Sequence, residues 1–177
     1  LSGFIKTFLS SKSGEDVTEE SITDYIESIF LEIVVTYRGN TNKVLANSWY
    51  KNGKYHRGND KPAYVFYNDD GSISAELWFK DGKKHRDNDK PAVIDYREDG
   101  SVESKSWCKE GEFHRDNDMP AYITYYKDSS VRSEQWYKDG KSHRDNDKPA
   151  AIRYYENGSV KKERWFKNGI EYTPERK

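Results

Sequence analysis

The sequence predicts a mainly β protein, an elongated array of antiparallel β-hairpins with an N-terminal amphipathic helical cap. Three observations carry that expectation. First, Trp49, Trp78, Trp107, Trp136 and Trp165 are each 29 residues apart, and His56, His85, His114 and His143 keep the same spacing. Pro62, Pro91, Pro120 and Pro149 keep it too, as do Tyr67, Tyr96, Tyr125 and Tyr154. A fixed period of this size marks units that cannot bury their own apolar face and must stack on neighbours. Second, Gly-bearing turn pairs punctuate short strand-like runs throughout the repeated region. Third, aromatic residues reach 15% although the charged set, at 34%, matches the hydrophobic set, at 33%. Aromatics at fixed positions point to an ordered, thin structure with much solvated surface instead of a disordered chain.

Residues 1–48 stand outside the repeat. Phe4, Ile5, Phe8 and Leu9 fall on one side of a short helix, and Ser10 to Gly14 reads as a linker. Asp16 followed by Glu19 resembles a capping box, and Ile22, Tyr25, Ile26, Ile29 and Ile33 recur at helical spacing. That pattern predicts an amphipathic helix over about residues 17–31. Its polar side is acidic, since residues 1–48 hold seven Asp/Glu against four Lys/Arg. Ile33 to Tyr37 and Val44 to Tyr50 then read as the first two strands, joined through Arg38-Gly39-Asn40.

The repeated units occupy residues 49–177, starting at 49, 78, 107 and 136, with a partial unit at 165. Asn52-Gly53, Asp81-Gly82, Glu110-Gly111, Asp139-Gly140 and Asn168-Gly169 suit two-residue turns that need left-handed backbone. Counting outward pairs Lys80 with Lys83, Phe79 with Lys84 and Trp78 with His85. A second turn recurs at Asp70-Gly71, Asp99-Gly100 and Asn157-Gly158, with Asp128-Ser129 the exception. Between hairpins lies an insert, Asp87-Asn88-Asp89-Lys90-Pro91 in its clearest form. Proline cannot donate to a ladder and Asx residues favour local turns, so it reads as a small loop at the entry to the next strand.

Strand alternation sorts the side chains onto two faces. One face is regular, with Ala92, Ile94, Tyr96, Trp107, His114 and their equivalents. The other changes along the array, from Tyr64, Phe66, Ala75 and Leu77 to Arg153, Tyr155, Lys162 and Arg164. The helix over 17–31 is expected to cap the apolar early part, across Phe66 and Leu77, because that stretch would otherwise be an exposed hydrophobic patch. Pro174 and the charged tail discourage strand addition at the far end.

At WFKDGKKHR and WYKDGKSHR the chain resembles MORN repeats, whose hairpins carry an aromatic residue, a turn glycine and then His-Gly. The resemblance covers about residues 45–172. Arg57, Arg86, Arg115 and Arg144 stand where the family has glycine, and the Asn-Asp-Lys-Pro insert lengthens the unit. The longer form looks like the MORN-like repeats of giant-virus proteins and is similar to antitoxin-associated bacterial variants. What the resemblance implies is a single twisted antiparallel sheet used for protein contacts, assembly or, in some members, lipid association. It implies no catalytic residue. It also implies a site of action inside a viral particle or an infected cell's cytoplasm.

A net charge of −1 gives the whole molecule no strong pull toward nucleic acid or anionic membrane. The single cysteine, Cys108, excludes an internal disulfide framework and leans toward an intracellular setting. Its slot holds Tyr or Phe in the other units, so it reads as a packing substitute. The four histidines occupy equivalent positions about two strands, ~10 Å, apart, too far for one reaction centre or one shared zinc. The Asp-Asn-Asp clusters could offer calcium oxygen ligands, but adjacent Arg and Lys favour Asx turns paired with those cations.

The expectation is therefore a non-enzymatic module with no cofactor and no metal. It binds a protein partner, or itself, through the variable face and loops. The candidate surface is Tyr122, Tyr126, Arg153, Tyr155, Lys162 and Arg164. The tryptophans at 49, 78, 107, 136 and 165 and the histidines at 56, 85, 114 and 143 form structural columns. The rivals are an enzyme or accessory subunit with a His/Arg/Asp site at a repeat junction, and a lipid or nucleic-acid surface binder using the basic C-terminal repeat.

Overall fold

The computed structural model describes residues 31–175. The expected helices, up to residue 30, lie outside the described residues, and so does the cap they would form. Among the described residues every regular element is a strand, so the protein is mainly β.

The strands are short and sequential. They begin with β1 (Glu32–Tyr37), β2 (Val44–Lys51), β3 (Lys54–Tyr55), β4 (Tyr64–Tyr67), β5 (Ile73–Leu77), β6 (Phe79–Lys80) and β7 (Lys83–Lys84). The middle of the chain supplies β8 (Val93–Tyr96), β9 (Val102–Ser106), β10 (Cys108–Lys109), β11 (Glu112–Phe113), β12 (Tyr122–Tyr125) and β13 (Val131–Gln135). The last are β14 (Tyr137–Lys138), β15 (Lys141–Ser142), β16 (Ala151–Tyr154), β17 (Val160–Lys167) and β18 (Ile170–Tyr172).

One antiparallel sheet runs in the order β1-β2-β4-β5-β8-β9-β12-β13-β16-β17-β18, with β3 added beside the end of β2. Eleven strands at ~4.8 Å spacing make it ~50 Å across. Each unit supplies one large hairpin to this ladder. Each also supplies a small hairpin, and β6-β7, β10-β11 and β14-β15 stand as two-stranded pairs outside the main ladder. The chain turns out of the sheet at the tryptophan. Trp78 N–H donates to the Ala92 carbonyl on the sheet side, while its own carbonyl accepts from His85 N–H on the hairpin side. Successive small hairpins are tied into a second row by single backbone bonds, Gly111 N to Lys84 O, Gly140 N to Phe113 O and Gly169 N to Ser142 O.

Backbone preferences explain both turns. In the small hairpins both central residues are left-handed, Asp81 at φ 52° and Gly82 at φ 81°, and likewise for each equivalent pair. The registers Phe79 with Lys84 and Lys80 with Lys83 follow from that geometry. In the large hairpins only the last turn residue is left-handed, Gly71, Gly100 and Gly158, with Ser129 at φ 69° in the remaining copy. The carboxylate or amide three residues before the returning strand holds this turn, as Asp99 does by accepting from Ser101 N–H and hydroxyl.

The core is a series of small cells on the regular face. Trp107 packs with Ala121 and Ile123, and Trp136 packs with Ala150 and Ile152. Ala63, Ala92, Ala121 and Ala150 are essentially inaccessible, which explains the alanine after each insert proline: a larger side chain would displace the indole. In two units the column tyrosine reaches back to a glutamate, Tyr96 to Glu76 and Tyr154 to Glu134, each at 2.7 Å. Burial, then the carboxylate, pushes these phenols upward.

Candidate interaction surface

The side chains that recur in every unit are occupied with holding units together. Each of the first four repeat tryptophans lies beneath the arginine of its own unit, with guanidinium-to-ring distances of 3.8 Å for Arg57 over Trp49, 3.7 Å for Arg86 over Trp78, 3.9 Å for Arg115 over Trp107 and 3.7 Å for Arg144 over Trp136. The indole N–H of Trp107 donates to the Asp89 carbonyl of the preceding insert at 2.9 Å. The same insert residue presents both carboxylate oxygens to Arg115, at 2.8 and 2.7 Å. Trp78 and Arg86 hold Asp60, and Trp136 and Arg144 hold Asp118, in the same way. This clamp explains the insert's conformation, because Asn88 and Asp89 both adopt left-handed backbone to aim carbonyl and carboxylate at the next unit.

Lysine completes the clamp in two copies. Lys90 reaches Asp60 at 2.6 Å and Lys148 reaches Asp118 at 2.7 Å. The arginine bonds, reinforced by lysine, hold the Asp60 and Asp118 carboxyls down at about 2. Met119 occupies the lysine position facing Asp89, whose carboxyl is lowered by Arg115.

Each histidine lies opposite its tryptophan and donates its backbone N–H to the tryptophan carbonyl, and the imidazoles add a further link. Nε2 of His85, His114 and His143 lies 2.9, 3.0 and 2.9 Å from a carboxylate oxygen of Asp87, Asp116 and Asp145. Nδ1 of His143 accepts from the Asn168 backbone N–H at 3.1 Å, in the turn of the following small hairpin, so Nε2 carries the proton toward Asp145. Nδ1 of His114 faces Asp139 in the equivalent turn. His114 and His143 therefore each brace one small hairpin against the next, whereas Nδ1 of His85 is buried without a hydrogen-bond partner among the described residues. Each junction does bring His, Arg and Asp together around a shallow depression, ≈220 Å³ where His114 to Met119 meets Trp136 and His143 to Asn146. The depression recurs at the neighbouring junctions. Cys108 is buried, which pushes its thiol up. Among the described residues no group of three His, Cys, Asp or Glu side chains is placed to hold a metal ion, and no helix is long and apolar enough to cross a membrane.

The variable face is ordered by cross-strand pairs at one equivalent position. These are Phe66 with Ala75, Asp95 with Ser104, Thr124 with Ser133 and Arg153 with Lys162. The first is apolar. Ser104 donates to Asp95, and the Thr124 and Ser133 hydroxyls share a bond of 2.7 Å. The last sets two cations directly opposite one another. The small hairpins continue this face with rings, Tyr55 against Tyr50, Tyr64 and Phe79 at the start, and Phe113 between Tyr122 and Tyr137 farther on.

The candidate residues fall into two groups. Arg153, Lys162 and Arg164 share a groove of ≈340 Å³ with Ser133, Gln135, Tyr137 and Phe166, while Tyr122 sits beside it, paired with Gln135. Arg164 is held by Glu171 through two bonds of 2.8 and 2.7 Å and covers Phe166 at 4.8 Å. Tyr126 and Tyr155 instead lie at the first turn position of their large hairpins. Tyr126 is half-buried, and its hydroxyl donates to the Tyr154 carbonyl at 2.8 Å, which staples one unit to the next. Arg38 and Arg97 do the same for Tyr67 and Tyr125. Tyr155 is 49% exposed with Lys161 over its ring at 5.2 Å.

Sequence reasoning passed over Tyr137, Phe166 and Gln135 in the groove and the pairing of arginine with tryptophan. A signal existed for the latter: Arg86, Arg115 and Arg144 each follow an insert aspartate, Asp60, Asp89 and Asp118, by 26 residues. Compared with protein-family models, curated proteins and solved structures, the chain matches none.

Proposed function

We propose that this chain is a non-catalytic, MORN-like repeat module that binds another protein chain through the C-terminal part of its variable face. The single observation carrying this reading is the groove between β13 and β17, where Arg153 and Lys162 face each other without a counter-ion within ion-pair distance among the described residues. Elsewhere recurring polar side chains are spent within the fold. Histidines, arginines and insert aspartates bond one another at every junction, which supports a structural role for these columns over an enzyme centre. The turn glycine, tryptophan and histidine support the MORN-like assignment, and the clamp gives a physical reason for arginine at the family's glycine position.

Site-specific photo-crosslinking tests the reading. A crosslinker at Gln135 or Tyr122, on the variable face, is expected to capture protein, whereas one at Asn117, on an insert loop, captures far less. Equal capture from both places overturns the assignment of the face. Replacing His114 or His143 alone by Ala is expected to lower the melting temperature at each copy; a folded variant that loses a turnover activity of the parent protein would establish an enzyme instead.

A further inference from the structure

We infer that the groove on β13, β16 and β17 receives the acidic segment of residues 15–27 from a second copy of this chain, giving head-to-tail self-association. The inference rests on the proposed function and names its partner. The four equivalent cross-strand pairs supply the first half of the argument. In the first three units the two residues satisfy each other, by apolar contact at Phe66 and Ala75 or by a hydrogen bond at Asp95–Ser104 and Thr124–Ser133. In the last unit they are Arg153 and Lys162. Directly opposed like charges stand ~5 Å apart at Cβ and repel. Glu171 feels Lys162 electrostatically but is bonded directly by Arg164, so neither Arg153 nor Lys162 forms an ion pair among the described residues. The arrangement is stabilised when an outside carboxylate enters between the two cations.

The groove's chemistry limits the ligand. Two cations without a direct ion pair suit one or two carboxylates, whereas nucleic-acid affinity is built by neutralising many phosphates at once. Tyr137 and Phe166 give the walls apolar surface, and Ser133 and Gln135 add hydrogen-bonding groups. The ligand is thus an acidic peptide with apolar or aromatic residues close to its carboxylates.

Residues 15–27 have that composition. Glu15, Asp16, Glu19, Glu20, Asp24 and Glu27 fall within them, with Ile22, Tyr25 and Ile26, and the next basic residue is Arg38. Geometry favours a second copy as the donor. From β1 to β16 the main sheet spans eight strand spacings, ~38 Å, and eleven residues from the segment's middle to β1 reach ~37 Å only when fully stretched. A segment leaving the β1 end of one molecule meets the β17 end of another without that limit. Because donor and acceptor surfaces differ, the contact is heterologous and propagates into open chains.

The decisive variant restores the preceding unit's solution. Arg153→Thr with Lys162→Ser recreates the Thr124–Ser133 pair and relieves the repulsion, so it retains or raises the melting temperature. Light scattering on the full chain at about 50 mM salt is expected to show mass rising with concentration, an effect lost in the double variant and in Glu19→Gln/Glu20→Gln/Asp24→Asn, and weakened about tenfold or more at about 500 mM salt. A fluorescent peptide of residues 13–30 is expected to bind the parent chain and to lose about tenfold or more affinity for the double variant. A parent chain that stays monomeric at low salt, or equal peptide binding to parent and variant, overturns the inference. If an oligoglutamate peptide binds the parent alone while the 13–30 peptide binds neither, the contact surface stands and the second-copy partner falls. If neither peptide binds, the groove falls as well.

Discussion

Single backbone angles account for much of the chain's regularity, and they also expose its imperfect copies. Ser129 holds φ 69° where Gly71, Gly100 and Gly158 stand in the other large hairpins. A side chain there is strained by roughly 1 kcal/mol, partly offset because glycine loosens the unfolded chain. Ser129→Gly is therefore expected to raise stability by about 0.5–1 kcal/mol, read as a higher urea midpoint at unchanged slope; a lower midpoint would show that Ser129 makes a compensating contact. Met119 is the matching departure in the clamp. Lys90 and Lys148 each reach an aspartate that the next arginine also holds, whereas Asp89 lacks this third contact. Met119→Lys is expected to add about 0.2–1 kcal/mol, the ordinary worth of an exposed ion pair. The gain should shrink on adding salt. Both departures were visible in the sequence as breaks in the 29-residue register, since a fixed period makes every exception a comparison with its own siblings.

Elements were legible where one residue type dictates a conformation, and illegible where the decisive contact crosses from unit to unit. The small-hairpin register follows from two left-handed turn residues, so counting from Asp81-Gly82 sufficed to pair Phe79 with Lys84. The departure of these hairpins from the main ladder was not readable, because it depends on Trp78 splitting its backbone bonds between Ala92 and His85. The arginine-over-tryptophan stack was missed for a related reason: strand alternation orders only residues inside strands, and Arg86 lies in the loop after β7. These clamps give the fold a defined response to acid. The Asp60 and Asp118 carboxyls sit at about 2 in the folded chain, below their usual value near 3.8. A depressed carboxylate stabilises the fold above its unfolded pKa and loses that contribution as pH falls through its folded one. Stability should thus decline from about pH 4 toward about pH 2. The effect per clamp is modest, because the Asp118 side chain keeps 38% of its surface in water. In Asp118→Asn, stability at pH 7 is expected to drop by about 0.5–1.5 kcal/mol, with a shallower fall between pH 4 and pH 2 than in the parent. Parallel acid titrations by circular dichroism would contradict the clamp.

Across the whole molecule, strand follows strand in near-sequential order, so each unit is coupled mainly to the one before and the one after. The meander was readable from the repeat itself, since an unbroken series of short connections leaves antiparallel neighbours as the simple arrangement. The variable face was legible as a gradient of composition, but the groove at its end needed the positions of Tyr137 and Phe166 on the small-hairpin row. A linear chain of coupled units has no global core to enforce a single transition, and its cooperativity depends on the weakest interface. Trp107 is the test position. It is 8% exposed, packs with Ala121 and Ile123, carries Arg115, and donates its indole N–H to the Asp89 carbonyl of the preceding insert, so it joins the two halves of the array. Trp165 is less buried, with no arginine in its unit equivalent to Arg115. Trp107→Ala is expected to cost about 3–5 kcal/mol at that junction and to split urea unfolding into two steps, with fluorescence and circular dichroism no longer superimposable. Trp165→Ala should cost less and leave one dominant step, because this indole is only half-buried and lies away from the junction between the halves. Coincident single transitions in both variants would mean that stability is shared across the whole sheet, and the picture of units coupled only to their neighbours would have to be abandoned.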